Sequence, residues 1–386
     1  MNDVTALFDW LVDGAPGAGS APEVIERMGA GFVAAGVPLD RLAAFVSTLH
    51  PQVVGRAFTW NRGQPVKVGE LSYAVLRSDV YQRSPVAQVT REHRALRFRI
   101  RDGEGRTEYA VVDELAREGY TDYACFPLLF LSGEAHAITF ATKAADGFSD
   151  EALAALARVV RPLSRVAEIL ALRRTAASLL TTYVGRNAGE RILAGRIVRG
   201  DIETLRAVIW FSDLRGFTEM SARLPPAEII ETINQVFECQ VPAIEQRGGE
   251  VLKFIGDGML AIFPVDETST PALRTAAALE AADQAFAALA ALNTTRTAAL
   301  QFGLALHLGE IAYGNIGSSN RLDFTVIGSA VNLAARLEGL TGKLGRPLLL
   351  SEALAAHATR PLDELGAFEL KGVPGKQRVY APTATP

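Results

Sequence analysis

The sequence predicts an α+β protein built as two α/β sandwiches joined by a helical segment. Three observations carry this. The chain has 386 residues, enough for two domains of ordinary size, and its 49% hydrophobic and 21% charged residues are the proportions of a chain that buries cores. Short apolar runs bounded by Gly, Pro or Asp alternate with segments whose apolar residues recur every three or four positions. Between the two halves lies a long helical pattern that ends in a run of glycines. The expected organisation is a mixed α/β domain over 1–150, a helical linker over 151–204 and a second domain over 205–386.

In the first half, Glu23–Ala35 and Leu39–Leu49 carry helical spacing of apolar residues. Tyr123–Leu131 and Ala135–Thr142 are apolar and flank Ser132-Gly133-Glu134, which reads as a hairpin turn. Ser149 stands where an N-cap belongs, ahead of a long helix. The order of these elements, with phrases such as Gly119-Tyr120-Thr121-Asp122-Tyr123, resembles a GAF-like sensor domain. His50, His93 and His136 have no convergent spacing and read as structural residues.

Within the linker, Val159, Leu163, Val166, Leu170, Arg173, Ala177 and Leu180 repeat at alternating intervals of four and three. Arg173 is the one misfit. This heptad spacing favours a parallel two-chain stalk joining the two domains, the alternative being one amphipathic helix packed on its own domain. Gly185, Gly189, Gly195 and Gly200 then interrupt the pattern.

A net charge of −4 offers nucleic acid or an anionic membrane no electrostatic attraction. Cys125 and Cys239 lie far apart, show no metal-ligand spacing and read as small buried hydrophobes of a reducing compartment. Met1–Trp10 carries Asp3 and Asp9 without a basic stretch or a long apolar core, so it does not read as a secretory signal. The longest apolar run, about Ala124–Leu131, is interrupted by Pro127 and falls well short of the ~20 residues of a membrane span. The expectation is a soluble cytoplasmic protein with no transmembrane segment.

Chemistry concentrates in three places of the second half. The apolar strand Arg206–Ser212 ends in Asp213-Leu214-Arg215-Gly216-Phe217-Thr218, and Pro225-Pro226 then opens a helix. A carboxylate at a strand end beside a Gly turn can hold a cation, and the free N–H groups of the turn can hold phosphate oxygens. Two further strands flank Gly256-Asp257-Gly258, a hairpin tip with room for a ligand against the backbone. If that hairpin pairs beside the first strand, Asp257 approaches Asp213 and forms the carboxylate pair that two magnesium ions require. In the third place a strand runs into Gly328 and a helix follows, with Asn332 and Arg336 four apart on one face.

Phe211-x-Asp213-x-x-Gly216-Phe217-Thr218, Lys253-x-x-Gly256-Asp257-Gly258 and Thr325-Val326-x-Gly328-x-x-Val331-Asn332-x-Ala334-x-Arg336-Leu337, in that order, resemble the class III nucleotidyl cyclases over about Arg206–Tyr380. The resemblance implies a ferredoxin-like βαββαβ domain that converts ATP to 3′,5′-cyclic AMP and pyrophosphate with two Mg2+ or Mn2+ ions per site. It implies Asp213, Asp257 and the backbone carbonyl of Leu214 as metal ligands. Gly216, Phe217 and Thr218 would face the phosphates, Asn332 would orient the ribose, and Arg336 would stabilise charge at the α-phosphate. Lys253 and Thr325 match the pair that reads the purine and favour ATP, since guanine readers carry Glu and Cys there. Lys371 matches a contact to the terminal phosphates.

In that family the two residue sets meet across two catalytic domains, so one domain per chain implies a head-to-tail homodimer. An unidentified small-molecule or protein effector is expected at the N-terminal domain. One position departs from the pattern: Gly303 stands where an Arg is usual, which puts a phosphate contact in doubt. His307 reads as a packed strand residue. Guanylate cyclase activity and a degenerate nucleotide-binding domain are the alternatives.

Overall fold

The structure is a computed structural model that describes residues 3–49 and 53–383. His50 lies outside the described residues. The chain divides into two compact units, Met1–Leu179 and Leu180–Pro386.

The first unit is built on six antiparallel strands: β1 (Arg41–Ser47), β2 (Val53–Asn61), β3 (Lys67–Ser72), β4 (Leu96–Phe98), β5 (Asp122–Leu129) and β6 (Ala135–Thr142), in the order β3-β2-β1-β6-β5-β4. One face packs Leu42, Phe58, Trp60, Ile138 and Phe140 against helices Thr5–Val12, Ala21–Ala34 and Asp150–Val184. The other face packs Tyr123, Cys125 and Ala137 against helices Pro85–Glu92 and Ala110–Arg117. The hairpin expected at Ser132–Glu134 forms, with Leu129 opposite Ala135. Ser149 caps the long helix through Ala152 N–H at 3.2 Å. Just before that helix, buried Asp122 accepts from Arg97 Nη2 at 2.7 Å and from Phe148 N–H at 3.0 Å, which ties the helix entry to the sheet.

Two readings of this half change. Leu39–Leu49 is largely not helical: Arg41–Ser47 is β1, the sheet-central strand between β2 and β6. Leu42, Ala43 and Ala44 are buried on both faces, and a two-sided apolar run carries no period that separates strand from helix. The second change concerns the heptad pattern. Val159, Leu163 and Val166 lie in the unit's own core with Ala152, Leu156 and Val160, so over this stretch the helix is an amphipathic helix packed on its own sheet. The large apolar residues it leaves in solvent are Ile169, Leu172, Leu179 and Tyr183, on another face.

His136 is buried against the Phe130 ring and accepts from Ser47 N–H at 3.3 Å, and His93 ends helix Pro85–Glu92 in a left-handed conformation. Cys125 and Cys239 are buried and free.

In the second unit, β7 (Ile202–Leu214), β8 (Glu250–Ile255), β9 (Gly258–Val265), β10 (Phe302–Gly317), β11 (Leu322–Ile327), β12 (Leu348–Ser351), β13 (Leu362–Glu369) and β14 (Lys376–Pro382) form one sheet in the order β13-β14-β12-β10-β7-β9-β8, with β11 beside β10. Its first part runs β7, helix Pro226–Gln246, β8, β9, helix Pro271–Asn293, β10. Along β7 the side chains alternate: Val208 and Trp210 pack under those two helices, and Ala207 and Ile209 pack under helix Ser329–Glu338. Burial on both faces makes this strand a continuous apolar run, and Asp213 and Gly216 at its end mark it as a strand. Trp210 Nε1 donates to Gln240 Oε1 at 3.3 Å, pinning helix Pro226–Gln246 to the strand. No helix among the described residues is long and apolar enough to cross a membrane.

His307, on β10, is buried, and its Nδ1 shares a 2.7 Å hydrogen bond with Ser351 Oγ, so it packs as the sequence suggests. Burial pushes its pKa down to about 4, below the ordinary 6.5. Between these values the unfolded chain takes up a proton that the fold excludes, so stability is lost as pH falls through this window. Thermal melts of the full chain and of His307→Gln from pH 7 to 4 are expected to show the wild type losing stability relative to the variant as pH falls, since the raised Asp213 acts in the opposite direction in both.

Candidate active site

The site grows from strand register. Asp213 sits near the C-terminal end of β7, opposite Gly258 of β9 on one side and Gly303 of β10 on the other. Ile255 pairs with Gly258, so Gly256 and Asp257 form a two-residue hairpin loop, and Gly256 takes φ +64 as such loops require. Asp257 therefore immediately precedes the residue that faces Asp213. The two carboxylates interact directly, as the sequence anticipates. A side chain at 258 would begin 2.8 Å from Ser212 O and 3.0 Å from Asp213 Oδ1, so glycine there keeps the space between the strands open.

Two carboxylates held together repel, and the electrostatics record it. Burial first, then the charges of Asp257 and Glu338, push Asp213 up to about 6, with Arg215 opposing. Burial also raises Asp257. A divalent cation would reverse this repulsion, so the donor set fits one. Among the described residues no cluster of three or more His, Cys, Asp and Glu assembles. The chain thus offers two carboxylates and backbone oxygens, an open set suited to a hard cation that keeps water and phosphate ligands. After Asp213 the chain turns through Gly216 at φ +71 into helix Phe217–Arg223. Phe217 packs partly on the core, and Thr218 is exposed.

A second group of predicted residues collects on β8, β11 and helix Ser329–Glu338. Lys253 is exposed and its ammonium pairs with Asp323. Thr325 lies two residues beyond Asp323 on β11, hence on the same side of the strand. Asn332 and Arg336 are exposed, while Ala330, Ala334 and Leu337 turn inward. Among the described residues Arg336 has no acidic partner. Phe254, Ile255 and Ile327 are also exposed, with the Phe254 ring stacked on Phe237. No hydrogen bond among the described residues joins this group to the aspartate pair. Lys371 lies apart from both: it is exposed between β13 and β14, with β12 and β10 separating that hairpin from β7.

The Gly303 departure has a structural counterpart. The space a side chain would enter at 303 is filled by the Arg215 guanidinium, Thr341 and Glu338. Arg215 Nη2 donates to buried Glu338 Oε1 at 2.8 Å, and Thr341 Oγ1 donates to Glu338 O at 2.7 Å. A guanidinium is thus present near this position, supplied by the residue two beyond Asp213. Arg215, Glu338 and Asp323 are the site residues that sequence reasoning passed over. The absent Arg at 303, beside an Arg inside the first motif, was the available signal.

Residues 203–381 match the family model of the adenylate and guanylate cyclase catalytic domain. An adenylate cyclase of Anabaena cylindrica is 35% identical over 164 residues, which cover 42% of this chain and 32% of that protein. The match thus spans about a third of that relative's length. A solved bacterial light-regulated adenylyl cyclase is 23% identical, with 67% of this chain and 85% of that one covered and a TM-score of 0.50, a likeness of fold. A solved guanylyl cyclase is 28% identical, covering 47% of this chain and 93% of its own, at a TM-score of 0.41. These likenesses lie in the C-terminal unit, where residues 203–381 match the model of the adenylate and guanylate cyclase catalytic domain.

Proposed function

We propose that this protein is an adenylate cyclase that forms 3′,5′-cyclic AMP and pyrophosphate from ATP, acting as a head-to-tail homodimer on a ferredoxin-like catalytic core. The observation that carries this reading is the Asp213–Asp257 pair, two mutually repelling carboxylates in a glycine-lined cradle on a domain of this family.

Asp213, Asp257 and the carbonyl of Leu214 would hold two magnesium or manganese ions, whose chemistry is to acidify the ribose 3′-hydroxyl and neutralise the triphosphate. The chain's own groups do the positioning. Lys253, oriented by Asp323, donates to adenine N1, and the Thr325 hydroxyl meets the exocyclic amine. Asn332 holds the ribose so that its 3′-oxygen lines up with the α-phosphorus. Arg336 offsets the negative charge that develops there. The N–H groups of the turn at Gly216, Phe217 and Thr218 face the phosphates, and Lys371 meets the terminal ones.

In this reading the site is assembled from two chains, one giving the aspartates and the other Lys253, Thr325, Asn332 and Arg336. The exposed Phe254, Ile255 and Ile327 suit burial in that contact. The N-terminal unit is read as a GAF-like sensory domain, supported by its antiparallel sheet with helices on both faces. Ile169, Leu172 and Leu179 repeat at intervals of three and seven and are the residues by which the long helices associate.

Product analysis with ATP and GTP, each with magnesium and manganese, tests the reading: cyclic AMP is expected, and a clear GTP preference overturns the base assignment. Asp257→Ala is expected to lower turnover to background while the melting temperature holds or rises, because a repulsive pair is removed. Arg336→Ala should lower kcat by about a hundred- to a thousandfold, the cost typical of a lost transition-state donor. Lys253→Glu with Thr325→Cys should shift preference toward GTP. Gly303→Arg should destabilise the C-terminal unit by roughly 1–3 kcal/mol through overpacking against Arg215.

A further inference from the structure

The N-terminal unit contains a cavity of about 580 Å3 that the catalytic reading does not use. Helix Asp150–Val184, the start of helix Ala21–Ala34 and strands β1 and β2 supply its walls, and the volume is that of a small-molecule site. Val24, Val46, Phe58, Leu128, Leu163 and Leu170 make the lining largely apolar. Its charged lining residues are Arg56, Arg173 and Arg174, and no acidic side chain lines it.

The arginines are unevenly satisfied. Arg56 pairs with Glu70, yet its Nε is buried without a hydrogen-bond partner. Arg174 makes no ion pair among the described residues. Its guanidinium is disfavoured by burial and by the charge of Arg56, and Glu70, which offsets this in part, is already engaged. Arg174 is exposed where it lines this largely apolar cavity, and a guanidinium there without a counterion can grip a carboxylate with two parallel hydrogen bonds.

We propose that this cavity binds an amphipathic monocarboxylate, its apolar body against Phe58, Leu163 and Leu170 and its carboxylate on Arg174. A cation or a dianionic sugar phosphate suits the site poorly, because the walls are apolar and the anion-binding groups sit together at one side. The long helix is the lever. At 100° per residue, Leu163, Ala167, Leu170 and Arg174 share one face, and Ile169, Leu172 and Leu179 lie on roughly the opposite one. A ligand therefore bears on the inner face of the same helix whose outer face carries the exposed apolar residues. Binding does not depend on the cyclase reading, and its test uses no activity.

Isothermal titration of the full chain with dodecanoate, kept below its micellar concentration, is the direct test, with dodecanol and dodecyltrimethylammonium as neutral and cationic controls. Dodecanoate is expected to bind saturably at one per chain. Arg174→Gln should weaken it by about tenfold or more, the loss expected of a charge-assisted bidentate contact, and leave dodecanol unchanged. Ala167→Phe, which projects a ring into the cavity beside Leu163 and Leu170, should weaken binding of both while circular dichroism shows the fold retained. If that variant does not fold, Arg174→Gln with the two controls decides. Absence of saturable dodecanoate binding overturns the proposal, as does equal affinity in Arg174→Gln or tighter binding of the cation. A cavity that takes no carboxylate, but whose filling dissociates the oligomer in size-exclusion chromatography, is an interchain contact, which also overturns it.

Discussion

The C-terminal unit is organised around the enforced proximity of two like charges. Asp213 and Asp257 are brought together by the register that places Gly258 opposite Asp213, and no local preference of either residue would do so. Burial first, then the charges of Asp257 and Glu338, hold the Asp213 carboxyl above its ordinary range. The arrangement persists because β7 is sandwiched between β9 and β10 and buried on both faces, so the backbone cannot relax without opening the core. In the proposed reading a divalent cation would offset this repulsion, which would link the fold of the sheet to the chemistry of the site.

Around that pair the structure substitutes one solution for another. The Arg215–Glu338 pair fills the volume beside Gly303, so the β10 glycine and the β7 arginine are complementary parts of one arrangement. Glu338 also raises the pKa of Asp213 while Arg215 lowers it, so the pair balances charge near the aspartates. Lys253 and Asp323 play a comparable part on the opposite group: the carboxylate holds an otherwise mobile ammonium beside Thr325.

The N-terminal unit turns on its long helix. Asp122, Arg97 and Ser149 fix where that helix starts, and Leu156, Val159 and Leu163 fix how it lies on the sheet. Beyond Val166 its contact with the core thins, and the cavity occupies the inner side. A helix anchored at one end and loosely packed further along is a segment whose position a ligand can bias.

Sequence alone determined much of the catalytic half. β7, the β8–β9 hairpin and helix Ser329–Glu338 were legible because each couples an apolar run to an unambiguous punctuator: Asp213 before Gly216, Gly256-Asp257-Gly258, and Gly328. The site residues were legible for the same reason, since chemistry-bearing residues sat at the ends of readable elements. Three things only the tertiary structure decided. β1 was hidden because a strand buried on both faces has no period. Spacing along the long helix could not say whether Val159, Leu163 and Val166 face a partner or their own sheet, because both environments demand the same apolar repeat. The Arg215–Glu338 pair joins residues 123 apart in the chain, and nothing local marks two charged side chains as partners until the sheet brings their strand and helix together.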